Sequence, residues 1–149
     1  MLRILIICTA NICRSPMAEY LLKAALKNQQ AEIQSAGIHG QHGIEADDTV
    51  VKLLEAQGMA DIKNHRSKPV VSGMAGQFDL FLCMEQHHLD DLQRIIPSVT
   101  GRAYLYGHWS NLEIADPHKL PETHYRIAQE QITKATQEWL EKLPQLGML

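Results

Sequence analysis

The segment ILIICTANICRSP at residues 4–16 determines how the rest of the chain is interpreted. Residues 4–7 are a continuous run of branched apolar side chains, which is typical of a strand buried on both faces of a sheet. Ser15 followed by Pro16 is a helix-start signal, because serine is favoured as an N-cap and proline at the first helical position. The segment therefore predicts a strand, a short loop and a helix over residues 16–27.

Strands and helices alternate along the remainder of the chain. Short apolar runs predict three further strands, at residues 32–35, 78–84 and 102–106. Helical spacing predicts two middle helices, at residues 48–57 and 87–96, and a C-terminal helix whose apolar seam is Tyr125, Ala128, Ile132, Ala135 and Trp139. Residues 37–43 form a glycine-rich loop. This alternation is typical of an α/β sandwich built around a parallel sheet.

The composition excludes several classes of protein. The 149 residues carry 14 Lys and Arg against 17 Asp and Glu, whereas a nucleic-acid-binding protein needs a basic face to neutralise phosphates. No apolar run approaches the roughly 20 residues that cross a bilayer, and the first residues are too short a run for a signal-peptide core. Three cysteines do not form a disulfide framework. We therefore expect one domain over residues 1–149, cytoplasmic, not inserted in a membrane and not bound to nucleic acid.

The loop between the first strand and the first helix carries the chemistry. A loop at the carboxyl end of a strand in an open α/β sheet is where ligands bind, and its backbone N–H groups together with a helix N-terminus favour an anion such as phosphate. The same positive environment stabilises a thiolate, so Cys8 is a candidate nucleophile. Arg14 would oppose the helix dipole unless an anion lay beside it, and its planar fork matches two phosphate oxygens. A buried structural cysteine and a solvated arginine are the alternatives.

The run CTANICRSPMAE from Cys8 to Glu19 resembles the signature loop of the low molecular weight protein tyrosine phosphatases. Ser35-Ala36-Gly37, the run from Phe78 to Met84, and Asp116-Pro117 match the family in the same order over nearly the whole chain. The segment from Gly107 to Trp109 that leads to Asp116-Pro117 is most similar to the bacterial branch associated with capsule and exopolysaccharide production. The resemblance implies a three-layer, flavodoxin-like α/β sandwich with a four-stranded, twisted parallel sheet flanked by helices.

The resemblance also implies roles for individual residues. Cys8 becomes a cysteinyl-phosphate, Arg14 holds the phosphoryl oxygens, and Asp116 acts first as acid and then as base. The remaining residues of the phosphate-binding loop are Thr9, Ala10, Asn11, Ile12, Cys13 and Ser15. The family's supporting polar network corresponds here to Asn11, Ser15, Ser35 and His65. Cys13 corresponds to a second loop cysteine that can pair reversibly with the nucleophile. Neither a cofactor nor a metal is implied, and the eight histidines lack the spacing of a metal-binding motif.

Two positions that line the family's substrate slot depart from its pattern. His118 stands where many relatives carry tyrosine after Asp-Pro, and it adds a group that titrates near neutral pH. Gln41 stands where a large aromatic or aliphatic residue usually contacts the phenyl ring. Ala10 replaces a glycine that is common in the loop. These departures bear on substrate preference, because none of them changes Cys8 or Asp116.

The resemblance leads to expectations about substrate and partner. We expect hydrolysis of protein phosphotyrosine by a monomer, with a membrane tyrosine autokinase of polysaccharide export as its substrate. Protein arginine phosphatases carry threonine where Ile12 stands, and an apolar residue favours a flat phenyl group. Arsenate reductases need a further cysteine a few residues after Cys83, and this chain has none. A protein arginine phosphatase and a non-catalytic phosphotyrosine-binding module remain the alternatives.

Overall fold

The computed structural model describes all 149 residues, with four strands and four α-helices joined by loops and short 3-10 turns. The strands are β1 (Leu2–Cys8), β2 (Ala31–Gly37), β3 (Leu80–Cys83) and β4 (Ala103–Leu105). The helices are α1 (Arg14–Ala25), α2 (Asp48–Glu55), α3 (Gln86–Ile95) and α4 (Glu122–Gln145). None of these helices combines the length and the apolar character needed to cross a membrane.

The four strands form one parallel sheet in the order β2-β1-β3-β4. β1 lies in the interior of the sheet, where Ile4 is paired with Ile33 of β2 on one side and with Leu80 of β3 on the other. Because β1 has neighbours on both sides, the loop that follows it emerges at the centre of the carboxyl edge, where ligands bind in such folds. The predicted four-stranded parallel α/β fold is confirmed.

Alternate residues of β1 face two separate parts of the core, because successive side chains in a strand point to opposite faces of the sheet. Ile4 and Ile6 pack in the larger cluster, with buried residues of α1 and α4. Leu5 and Ile7 pack in the smaller cluster, with Leu92 of α3. This arrangement explains why the strand at residues 4–7 has no polar alternation: both of its faces are covered, as in a three-layer sandwich.

The C-terminal helix covers the sheet with the seam predicted from the sequence. Tyr125, Ala128, Ile132, Ala135 and Trp139 are all buried on one face of α4. The indole N–H of Trp139 donates to the carbonyl oxygen of Tyr106 at 2.8 Å, so the seam is fixed to the chain just beyond β4 by a hydrogen bond as well as by apolar burial. The seam is therefore a core contact and not a free surface.

The predicted start of the first helix is wrong. α1 begins at Arg14, its N-cap is Cys13, and Ser15 makes no capping hydrogen bond. The Ser15 hydroxyl instead contacts the Cys8 sulfur and the Asn11 amide. Pro16 is tolerated as the third residue of the helix, because the first four N–H groups of a helix have no partner within it.

Gly37 at the end of β2 allows that strand to lie against the loop after β1. A Cβ atom on Gly37 would lie 2.6 Å from the carbonyl oxygen of Thr9 and 2.9 Å from the backbone nitrogen of Asn11. Both of these are backbone atoms of the loop, so neither can move aside without deforming it. The glycine of the Ser-Ala-Gly motif therefore has a steric cause, which is the close approach of β2 to the phosphate-binding loop.

Candidate active site

One pocket at the carboxyl edge of the sheet brings together the three predicted catalytic residues. Cys8 ends β1 and Arg14 opens α1, and both side chains are almost completely buried. The pocket is lined by Cys8, Ala10, Ile12, Cys13, Arg14, Asp116 and His118. The candidate nucleophile, arginine and acid therefore meet in one place, although more than a hundred residues separate the first from the last.

The Cys8 sulfur lies 3.0 Å from the hydroxyl oxygen of Ser15. That oxygen already accepts a hydrogen bond from the amide group of Asn11 at 2.8 Å. The hydroxyl hydrogen of Ser15 is therefore available to point at the sulfur. A hydrogen bond in this direction, together with the N-terminus of α1, stabilises negative charge on Cys8 and prepares it to act as a nucleophile.

Asn11 ties the loop together and holds it in a strained backbone conformation. Its φ of 61° lies in the left-handed region, which asparagine tolerates better than most residues. Its amide nitrogen donates to the hydroxyls of Ser15 and Ser35, at 2.8 and 2.9 Å, and its side-chain oxygen accepts from the backbone N–H of Lys68. The His65 ring lies 2.7 Å from its carbonyl oxygen. The side chain therefore has all its donors and an acceptor engaged.

Glu19 continues this network into the protein, and the sequence assigned it no role. Its carboxylate accepts hydrogen bonds from the hydroxyl of Ser35 and the ammonium group of Lys23. Burial lowers the pKa of His65, so its ring is neutral near neutral pH. Its Nε2 then carries the hydrogen that is donated to the loop carbonyl. The four predicted supporting residues thus lie in contact with each other, and Glu19 belongs to the same network.

The Asn11 network makes a prediction about stability. An Asn11→Gly variant keeps the left-handed backbone but leaves Ser15, Ser35 and the Lys68 N–H without their partner, so we expect unfolding free energy to fall by about 2–3 kcal/mol. Asn11→Ala adds the left-handed penalty of about 1 kcal/mol. Urea denaturation of the two variants measures both terms. Equal stability of the two variants would contradict the backbone part of this account, and wild-type stability in both would contradict the network.

Arg14 is held rigidly at the base of the pocket by two acceptors. Its Nη1 donates to the carbonyl oxygen of Ile114 at 2.8 Å and pairs with the Glu85 carboxylate at 2.5 Å. Burial alone would raise the pKa of Glu85, but the hydrogen bond and charge of Arg14 outweigh it and lower that pKa below its usual value. Nη2 lies 3.8 Å from an oxygen of Asp116. Nε and Nη2 donate no hydrogen bond within the chain, so both remain for an anion.

His88 supports the loop from the first turn of α3, and the sequence assigned it no role. Its Nδ1 accepts the backbone N–H of Glu85 at 3.0 Å, and its Nε2 lies 2.9 Å from the Thr9 hydroxyl. Burial, reinforced by the charge of Arg14, lowers the pKa of His88 to about 4. The ring is therefore neutral near neutral pH, with its hydrogen on Nε2 and available to Thr9.

Glu85, His87 and His88 are the group of three side chains whose ligand atoms lie close enough together to hold a metal ion. The groups of this cluster already have partners within the protein. The Glu85 carboxylate pairs with Arg14, and both nitrogens of His88 are engaged. The ring of His87 lies 3.3 Å from the same carboxylate. The cluster is accounted for by its support of Arg14 and of the loop.

The loop that carries Asp116 is anchored to two helices through Asp47. The Asp116 carboxylate is about half exposed, at 49%, and one of its oxygens accepts the backbone N–H of His118 at 3.0 Å. Asp47 caps α2, and its Oδ2 accepts from the Tyr125 hydroxyl at 2.8 Å and lies 2.7 Å from His118 Nδ1. The backbone N–H of Asp47 also donates to the carbonyl oxygen of Ile12. Asp47 thus connects the acid loop to the phosphate-binding loop.

Of two further predicted positions, Gln41 lies outside the pocket and Cys13 lines it. Gln41 is exposed, does not line the pocket, and its backbone carbonyl accepts a hydrogen bond from the Ser67 hydroxyl. Its contact with a substrate ring stays a prediction. Cys13 lines the pocket beside Cys8, and both are free thiols. Burial, reinforced by the charge of Asp47, raises the pKa of Cys13 well above the usual value for a thiol, so Cys13 is protonated near neutral pH.

Comparison with known proteins agrees with this geometry. Residues 3–146 match the family described as low molecular weight phosphotyrosine protein phosphatase. The probable low molecular weight protein-tyrosine-phosphatase AmsI of Erwinia amylovora is 39% identical over 141 residues, which cover 94% of this chain and 96% of AmsI.

Solved structures give the same result. The tyrosine phosphatase Wzb from Escherichia coli K30, in complex with sulphate, superimposes with a TM-score of 0.88 at 37% identity and covers 95% of this chain and 97% of its own. The YwlE arginine phosphatase from Geobacillus stearothermophilus superimposes with a TM-score of 0.89 at 29% identity, over 97% of this chain and 94% of its own. The chain therefore belongs to the low molecular weight phosphotyrosine protein phosphatase family.

Proposed function

We propose that this protein hydrolyses phosphotyrosine in proteins through a cysteinyl-phosphate at Cys8. The observation that carries the proposal is the convergence of three groups on one pocket: a cysteine at a helix N-terminus, an arginine with unused donors and a half-exposed aspartate. Each is suited to one part of phosphoryl transfer, namely nucleophilic attack, stabilisation of the phosphoryl charge and protonation of the leaving group. Membership of the family supports the same reaction.

In the first step the Cys8 thiolate attacks phosphorus while the bond from phosphorus to the tyrosine oxygen breaks. Arg14 Nε and Nη2, with the N–H groups of the loop, bind the phosphoryl oxygens as their charge develops. Phenolate is a poor leaving group because the pKa of tyrosine is about 10. Asp116 in its protonated form therefore gives its proton to the departing oxygen, so that neutral tyrosine leaves.

In the second step water displaces Cys8 from phosphorus. Asp116, now a carboxylate, takes a proton from the water as the oxygen attacks, and the sulfur–phosphorus bond breaks to regenerate the thiolate. The Ser15 hydroxyl, 3.0 Å from the sulfur, stabilises the negative charge that returns to it. Inorganic phosphate leaves, and Asp116 is protonated again for the next cycle.

Phosphotyrosine is favoured over phosphoarginine by the character of the pocket wall. Ile12 and Ala10 are apolar side chains beside the phosphoryl position, and an apolar wall suits a phenyl ring better than a charged guanidinium group. The YwlE arginine phosphatase has a similar structure, so a direct test compares the two substrates. The segment from Gly107 to Trp109, which is typical of the polysaccharide-associated branch, supports a membrane tyrosine autokinase as the substrate. We infer that the reaction takes place in the cytoplasm and that the enzyme acts as a monomer.

Side-by-side hydrolysis of matched peptides tests the proposed function. One peptide carries phosphotyrosine and the other phosphoarginine in the same sequence, and phosphate release is followed with a chelator present. We expect turnover of the phosphotyrosine peptide to exceed that of the other by at least about a hundredfold in kcat/KM. Preferred cleavage of phosphoarginine would identify an arginine phosphatase. Tight binding of phosphotyrosine without phosphate release would identify a binding module.

A further inference from the structure

His118 occupies a position in the pocket that the two-step reaction does not use. It lines the pocket with Cys8, Arg14 and Asp116, and its side chain is about one-third exposed, at 34%. Its Nδ1 lies 2.7 Å from Oδ2 of Asp47, whereas Nε2 makes no hydrogen bond within the chain. Nε2 is therefore the ring atom that is left for a ligand.

Asp47 determines which ring nitrogen carries a hydrogen. Its carboxylate is 8% exposed and accepts hydrogen bonds from the Tyr125 hydroxyl and the Thr49 backbone N–H. Because a carboxylate oxygen can only accept, the hydrogen of a neutral His118 ring lies on Nδ1 and points at Asp47. Nε2 of the neutral ring then carries a lone pair, which repels an anion. Only the imidazolium has a second N–H, on Nε2, while its Nδ1–H still points at Asp47.

We propose that His118, oriented by Asp47, is an additional anion-binding residue of this pocket, which donates from Nε2 to a phosphoryl oxygen when its ring is protonated. The proposal rests on the proposed function, since it takes this pocket as the phosphoryl site. Under this proposal, binding of a dianion favours protonation of His118, and protonation of His118 favours binding of the dianion to the same extent. His118 is thus a binding residue, and Asp47 is a positioning residue that acts through His118.

Charged and titratable groups surround His118 on several elements of the fold. They come from α2 and the residues before it, from α4, from the phosphate-binding loop and from the acid loop itself, and they are Glu45, Asp47, Asp48, Tyr125, Cys8, Cys13, Arg14, Asp116 and Lys119. The carboxylates of this group attract an imidazolium, and Arg14 and Lys119 repel it. A bound dianion adds two negative charges close to Nε2 and offsets the two cations.

Sulfate binding measured by calorimetry tests the proposal, because sulfate keeps the same charge across the range where histidine titrates. A Cys8→Ser background removes the titration of the nucleophile. We expect sulfate to bind at least about fivefold more tightly at about pH 5.5 than at about pH 8. These two values lie on either side of the pKa of an ordinary histidine side chain. In the same background, His118→Gln removes the imidazole, so the affinities for sulfate at the two pH values should then agree within roughly twofold.

Two further variants separate His118 from other causes of pH dependence. His42→Gln removes an exposed histidine that does not line this pocket, and should keep the full ratio. Asp47→Asn should lower the ratio through loss of the stabilising charge. An unchanged ratio in His118→Gln, or no sulfate binding at either pH, would overturn the proposal. Phosphotyrosine turnover by the protein with Cys8 intact reports separately on the proposed function.

Discussion

A Cys8→Ser variant is expected to lose phosphotyrosine turnover by at least about ten-thousandfold while it still binds sulfate within roughly threefold of the unmodified protein. Serine keeps the shape of the side chain, but its hydroxyl does not ionise near neutral pH, so the nucleophile is lost. Arg14 and the loop N–H groups that bind the anion are unchanged. Phosphate release from a phosphotyrosine peptide, together with sulfate titration by calorimetry, measures both halves of this expectation.

Cys83→Ala is the matched control for the loss of a cysteine. Cys83 ends β3, is fully buried in the smaller core cluster and does not line the pocket. We expect this variant to retain turnover within about threefold and to lose about 1 kcal/mol of stability through the small cavity it leaves. Substantial turnover by Cys8→Ser would place the nucleophile elsewhere, and loss of sulfate binding would mean that the substitution had collapsed the loop.

The Asp116→Asn variant is expected to separate substrates by their leaving group. Asparagine cannot give a proton to phenolate, so kcat/KM for a phosphotyrosine peptide, which reports the first step, should fall by about a hundredfold to a thousandfold. p-Nitrophenyl phosphate releases a much more acidic phenol and needs little protonation, so its kcat/KM should fall by about tenfold or less. The quantity to measure is the difference between the two losses in kcat/KM, because kcat also contains the second step, which both substrates share.

The hydrogen bond from the His118 backbone N–H to Asp116 makes Asn a suitable replacement, because the asparagine side-chain oxygen can accept the same bond. The loop should therefore keep its position in the variant. An equal fall in kcat/KM for both substrates would contradict the role of Asp116 as leaving-group acid, since an acid is needed only where the leaving group is poor. Full retention of phosphotyrosine turnover would assign the proton to another residue.

The alternation of strands and helices was enough to predict the sheet, because buried parallel strands leave an unmistakable apolar run such as residues 4–7. The same holds for the α4 seam, whose spacing of three and four residues follows directly from helix geometry. The start of α1 was not predictable from propensity. Ser15 has the residue type of an N-cap, but its hydroxyl is used by Cys8 and Asn11. A tertiary contact therefore overrides the local signal.

The candidate site divides in a similar way. Cys8 and Arg14 follow one strand, so their proximity was predictable from a single segment. Glu85 and His88 follow β3, which lies next to β1 in the sheet. Because parallel strands end at the same edge, their position just after a predicted strand could have indicated that these two residues lie near the site. Asp47 and Tyr125 approach from two helices that are remote in sequence. Only the packed structure brings their side chains to the acid loop.

Direct observation of phosphate on Cys8 is the measurement that tests the central claim most closely. The Asp116→Asn variant lacks the base for the second step, so the intermediate should accumulate when a substrate with a good leaving group is mixed and quenched within milliseconds. Mass spectrometry of the fragment containing residues 4–14 should then find one phosphoryl group on Cys8, which disappears in Cys8→Ser. Rapid turnover with no phosphoryl group on the protein at any time, or with the group on a residue other than Cys8, would contradict the mechanism.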